Sequence, residues 1–220
     1  IEVLDDVRVQ IIKPPVAEIS VDSLGDRGVA LHSAAADDWY DVSVAAAGDL
    51  NGDGFGDLVV GVERAADPDY DSQEYDYAPQ HGRAYVLFGQ ASGLVDNVSL
   101  DTVDGTNGFV VTGEYEGDGL GSAVASAGDV DGDGIGDLIV GAYHAGDRHS
   151  TGNGSSRSGN EGATYLVYGK NADFAPSLDA ETLDSFVPEG IGAESGGSVS
   201  GIGDFNGDGF ADIIISGHKK

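Results

Sequence analysis

Gly48-Asp49-Leu50-Asn51-Gly52-Asp53-Gly54-Phe55-Gly56-Asp57-Leu58-Val59-Val60-Gly61 decides the fold, because the chain repeats its pattern three times. The second copy is Gly128-Asp129-Val130-Asp131-Gly132-Asp133-Gly134-Ile135-Gly136-Asp137-Leu138-Ile139-Val140-Gly141. The third is Gly203-Asp204-Phe205-Asn206-Gly207-Asp208-Gly209-Phe210-Ala211-Asp212-Ile213-Ile214-Ile215-Ser216-Gly217. Counted from the first aspartate, acidic or amide oxygens fall at positions 1, 3, 5 and 9, with glycine at position 6. That spacing wraps a short loop around one hard cation, since calcium takes about six to eight oxygen ligands and glycine permits the sharp turn between them. Position 7 (Phe55, Ile135, Phe210) offers only its backbone carbonyl, so its side chain is free to be apolar.

An EF-hand loop begins in the same way, but it needs a bidentate glutamate at position 12 and a helix on each side. Here position 12 is Val60, Val140 or Ile215, inside aliphatic runs that read as buried strands. The stretches before the loops, 42–47, 122–127 and 198–202, are short and rich in small apolar residues. The unit is therefore strand, cation loop, strand. A polar Asx-Gly turn that satisfies its own backbone is the competing use of such a loop. Several carboxylates crowded into one loop repel each other without a cation, which favours calcium, and the oxygen count and loop flexibility favour it over magnesium. Its role would be to rigidify each hairpin, linking folding to calcium by mass action.

Charge narrows the partner classes. Thirty-nine acidic residues against ten Lys and Arg give a formal charge of −29, which excludes nucleic acid because phosphate binding needs a basic stripe. No stretch approaches the length of a transmembrane helix and no secretory apolar segment is present, so membrane insertion is not expected. The chain starts at Ile1 and holds no methionine, so it reads as a processed or excised piece. Thirty-six glycines and six prolines without helical periodicity fit many short strands joined by turns. The absence of cysteine excludes a disulfide framework. Loops of this kind suit the millimolar calcium found outside cells, which points to a secreted or cell-surface protein. Sequons at Asn97 and Asn153 are weak hints of glycosylation.

The self-similarity extends beyond the loops. Gly82-Arg83-Ala84-Tyr85-Val86-Leu87-Phe88-Gly89 recurs as Gly162-Ala163-Thr164-Tyr165-Leu166-Val167-Tyr168-Gly169, and Gly28-Val29-Ala30-Leu31 as Gly108-Phe109-Val110-Val111. The repeat predicts four antiparallel strands per unit, near 109–113, 122–127, 138–142 and 164–169 in the middle copy, which describes a propeller blade. With these motifs the chain resembles FG-GAP repeats, the blades of the integrin α-subunit head and of many bacterial and archaeal surface proteins. The resemblance covers most of residues 28–217. It implies an all-β fold of antiparallel four-stranded blades in an integrin-like β-propeller, stabilised by calcium and used for adhesion or ligand binding. By motif position the family's calcium ligands fall on Asp49, Asn51, Asp53, Phe55 and Asp57, on Asp129, Asp131, Asp133, Ile135 and Asp137, and on Asp204, Asn206, Asp208, Phe210 and Asp212, for about three ions.

The array divides into 1–27, a remnant of a preceding unit, then 28–107, 108–185 and a partial unit 186–220. Integrin-like heads look like seven-bladed rings, so about three repeats make an incomplete ring. The chain reads as a fragment of a longer propeller, with association of copies as the alternative, because open sheet edges invite pairing.

Alternating connections put the cation loops on one face and the long inserts 63–80 and 143–161 on the other. Trp39, Tyr40, Tyr70, Tyr75 and Tyr77 lie in or beside that second set, and exposed aromatics on rigidly held loops make good contact residues for a protein or glycan ligand. The bland alternative is solvated inserts, with Trp39 capping a blade. The five histidines show no metal-pair or triad spacing, so no enzyme is expected. A self-assembling surface-layer or filament component is the alternative function, and part of a secreted hydrolase is the more remote one.

Overall fold

Glycine and proline punctuation breaks the chain into strands too short to stand alone, and pairing in sheets and packing between sheets complete them. The computed structural model describes residues 31–32, 42–63, 81–92, 98–113, 117–145, 161–187 and 194–217. Apart from two single 3-10 turns, the regular structure among them is strand. In order these are β1 (Leu31–His32), β2 (Val42–Gly48), β3 (Asp57–Val62), β4 (Arg83–Leu87), β5 (Val98–Ser99), β6 (Gly108–Thr112) and β7 (Leu120–Gly128). There follow β8 (Asp137–Ala142), β9 (Ala163–Val167), β10 (Ser177–Asp179), β11 (Asp184–Phe186), β12 (Val199–Gly203) and β13 (Asp212–Ile215).

The first sheet runs β2-β3-β4-β6 with antiparallel neighbours, and β10 adds to its outer edge in parallel. The second runs β7-β8-β9-β11, antiparallel throughout, and the third comprises β12 and β13. These are the four-stranded, antiparallel blades that the repeat predicts, in a chain whose described sheets form no closed barrel. One strand changes place. The repeat predicts a strand near 109–113 as the first of the middle unit, but β6 (Gly108–Thr112) pairs with β4, Phe109 opposite Val86, and so finishes the preceding sheet. A translational repeat looks the same wherever it is cut, and only the backbone hydrogen bonds show which sheet owns the strand.

The main core lies between the first two sheets. Val59, Ala84, Val86, Phe109 and Val111 of the first meet Leu120, Leu138, Val140 and Tyr165 of the second. Strand β8 is buried at every position, because the first sheet covers one face and the β12–β13 hairpin approaches the other. The glycine that ends the first two signatures is dictated by this packing. A Cβ at Gly61 would collide with the Gly121 carbonyl, and one at Gly141 with the Gly196 carbonyl. Near the aspartate-rich loops, Phe88, Phe109 and Phe174 close the gap between sheets, with Phe109 and Phe174 stacked 4.4 Å apart.

Candidate metal centre

Each loop starts from a β-bulge. The hairpin register shifts between Ala46 and Gly48, between Ser126 and Gly128 and between Gly201 and Gly203, where Gly48, Gly128 and Gly203 take φ of 88°, 79° and 70°. Inside the loops, positions 4 and 6 are also left-handed: Gly52 and Gly54, Gly132 and Gly134, Gly207 and Gly209. Glycine stands at position 4 in all three copies, and the left-handed turn there favours it as strongly as at position 6.

The side chains then hold the turn from within. At position 1, Asp49, Asp129 and Asp204 each accept from the glycine N–H at position 6, at 2.9, 2.9 and 3.0 Å. At position 3, Asn51, Asp131 and Asn206 accept from the N–H at position 5. At position 5, Asp53, Asp133 and Asp208 accept from the N–H of Phe55, Ile135 and Phe210. At position 9, Asp57, Asp137 and Asp212 reach back to the N–H of Leu50, Val130 and Phe205, at 2.8, 2.7 and 2.8 Å. The net uses the side chains much as an Asx turn does, yet each carboxylate keeps lone pairs for a further partner.

In the second loop, carboxylate oxygens of Asp129, Asp131 and Asp137 lie within 4.8 Å of one another. Oxygens bound to one calcium at about 2.3–2.6 Å can be no more than about 5 Å apart, so this donor set fits such an ion. The first and third loops carry Asn51 and Asn206 at position 3, neutral oxygens that replace one of the three charges. Position 9 is where burial matters. Asp57 and Asp137 are 4% and 0% exposed, and their second oxygens accept from Gly89 and Gly169 N–H, each at 2.8 Å. Burial pushes the Asp57 carboxyl up to about 6, against the pull of the Gly89 and Leu50 hydrogen bonds, with the charges of Asp53 and Asp49 adding to the rise. The Asp137 carboxyl is raised in the same way, by burial first and by Asp131 and Asp129 as well. A buried carboxylate facing other carboxylates calls for a counter-charge, and a divalent cation supplies one.

The proposed ligand residues Trp39, Tyr40, Tyr70, Tyr75 and Tyr77 lie outside the described residues, as do Asn97 and Asn153. At the sheet ends opposite the loops, Val42, Glu63, Ser122, Tyr143 and Gly197 line a cavity of about 280 Å3. The Tyr143 hydroxyl donates to the Glu63 carboxylate there at 3.0 Å. No sequence signal marked this pair, because Glu63 and Tyr143 occupy equivalent repeat positions with unlike side chains.

Residues 42–87 and 120–166 match the FG-GAP repeat family. Among known proteins the chain is similar to integrin alpha-4 of Xenopus laevis, 26% identical over 80% of this chain and 14% of that protein. It is 30% identical to integrin alpha pat-2 of Caenorhabditis elegans over 81% of this chain and 13% of that protein. It is also 32% identical to the phosphatidylinositol-glycan-specific phospholipase D of Rattus norvegicus, over 79% of this chain and 18% of that protein. The chain thus spans less than a fifth of each of these relatives.

Proposed function

We propose that this chain, which carries FG-GAP repeats built as integrin-like propeller blades, is a non-enzymatic, extracellular adhesion or recognition module whose blades are stapled by calcium. The observation that carries the reading is the buried position-9 carboxylate, Asp57 or Asp137, held by two backbone N–H groups and facing further acidic oxygens. The cation would be held by the side chains at positions 1, 3, 5 and 9 and the carbonyl at position 7 of each loop, about three ions in all. It would supply charge compensation and cross-linking within a hairpin rather than chemistry. Likeness to integrin alpha subunits supports adhesion and a cell-surface or secreted setting, where calcium is abundant. No helix among the described residues is long and apolar enough to cross a membrane. The opposite face, with the cavity beside Glu63 and Tyr143, is the surface on which a protein or glycan would dock, together with the aromatic inserts.

Thermal unfolding with static light scattering, in millimolar calcium and then in excess chelator, tests this. The expected result is a large calcium-dependent rise in melting temperature; an unchanged melting curve would leave the loops as self-satisfied turns. A second reading, assembly through the third hairpin, is favoured by Ile202, Phe205, Phe210 and Ile214, all exposed there. A scattering mass that grows with concentration and falls on Phe205→Asp substitution would support it.

A further inference from the structure

Loops 1 and 2 are each covered by the loop of the next sheet. The Gly136 N–H donates to the Asp49 carbonyl at 3.2 Å, and the Ala211 N–H to the Asp129 carbonyl at 2.8 Å. In both cases position 8 of the following loop holds position 1 of the preceding one. The residue before the donor adds a second hold. Ile135 Cδ1 lies 3.5 Å from where a Cβ of Gly52 would stand. The Phe210 ring presses closer on Gly132, with Cε1 and Cδ1 at 2.6 and 3.1 Å from the corresponding point. Gly52 and Gly132 are the left-handed residues at position 4, between the ligands at positions 3 and 5. So an apolar side chain at position 7 caps the turn from which the neighbouring loop hangs its donors.

We propose that each cation loop is fixed in its binding shape by the loop that follows it. Phe210 is a positioning residue for the site at Asp129, Asp131, Asp133 and Asp137, and Ile135 for the site at Asp49, Asn51, Asp53 and Asp57. This rests on the reading of the loops as cation sites and adds a direction to it. A loop whose first ligand backbone is pinned and whose position-4 turn is capped has less conformational freedom to lose when the ion arrives, so it binds more tightly. The third loop has no such cover among the described residues, with nothing within 4 Å of a Cβ at Gly207.

Calcium titration followed by 15N NMR resolves the sites, with the position-6 amides of Gly54, Gly134 and Gly209 as reporters. Phe210→Ala shifts the Gly134 transition to roughly tenfold higher calcium, the size of effect expected when a partner that orients ligands is lost. The Gly54 transition stays where it was, and any shift at Gly209 reports Phe210 in its own loop, where its N–H is held by Asp208. Phe210→Ile, which borrows the residue used at position 7 of the second loop, restores the Gly134 transition, and Ile135→Ala moves the Gly54 transition. Phe210 is half exposed, so its loss leaves the fold intact. A shift confined to Gly209, an equal shift at all three amides, or no shift overturns the proposal while leaving calcium binding in place. An unsubstituted chain that ignores calcium at every reporter removes the cation reading itself, and the positioning role with it.

Discussion

The third loop and the first two share one internal hydrogen-bond net, but they sit in different surroundings. Leu50, at position 2 of the first loop, is fully buried in the main core, whereas Phe205 at the same position of the third is 83% exposed. Asp57 and Asp137 are buried and give their second oxygen to Gly89 and Gly169, residues 32 positions along the chain. Asp212 is half-buried, and its second oxygen meets Asn206 Nδ2 of its own loop at 3.3 Å. The motif therefore specifies the turn by itself, while its electrostatic character comes from strands outside it. The last carboxylate of an Asx-rich loop carries a burial cost only where the rest of the blade covers it.

A large effect should come where this difference is written into the sequence. The signature closes on Gly61 and Gly141 in the covered copies and on Ser216 in the exposed one. Gly141→Ser copies the third ending into the second blade, and its Cβ would run into the Gly196 carbonyl, a backbone atom that cannot swing aside. A loss of roughly 3 kcal/mol is expected, the upper range for overpacking. Ser216→Gly should change stability by no more than about 0.5 kcal/mol, as for substitutions away from packed sites. Chemical denaturation in calcium checks both. Equal costs would mean that the closing glycine serves the loop rather than the neighbouring sheet.

This contrast also shows what the sequence made legible and what it hid. Strand, loop and strand followed from side-chain period and from aliphatic residues at Val60, Val140 and Ile215, because burial selects side chains. The hydrogen-bonding positions of the loop were legible for the same reason, since a side chain that accepts from its own turn here is Asp or Asn. Ownership of Gly108–Thr112 was hidden, because β4 recognises β6 through backbone groups that every residue carries. The bonds from Gly136 to Asp49 and from Ala211 to Asp129 were hidden likewise. The Gly89 and Gly169 contacts were half visible: both glycines close a repeated strand motif, but nothing in the motif says that a distant aspartate meets them.

A smaller effect follows from the buried carboxylates of the covered loops. The Asp57 carboxyl is raised from an ordinary 3.8 to about 6 in the folded chain. Its protonated form is thus favoured by folding, and that contribution is fully present below about pH 3.8 and lost as pH rises through about 6. In chelator, the melting temperature should therefore rise as pH is lowered from about 7 to about 5, with Asp57 contributing on the order of 1 kcal/mol once solvent screening is allowed for. Saturating calcium should flatten or reverse the trend, because the ion needs the ionised carboxylate. Asp57→Asn should remove part of the pH dependence in chelator. A pH slope that survives unaltered in Asp57→Asn would place its origin in the −29 charge as a whole rather than in the covered loop.

The smallest effect belongs to the exposed side of the comparison. Phe205→Ser removes a large side chain that is 83% exposed, so stability should move by no more than about 0.5 kcal/mol. Leu50→Ala, at the same loop position, should cost about 2–5 kcal/mol by leaving a cavity in the core. The two substitutions touch matching residues of one motif, so the motif's own turn energetics cancel and the difference reports only what covers the loop. If Phe205→Ser costs as much as Leu50→Ala in dilute solution, then Phe205 is covered under those conditions. Repeating the measurement across protein concentrations would identify a second copy of the chain as the cover if the cost fades on dilution. A cost independent of concentration would point instead to other residues of the same molecule.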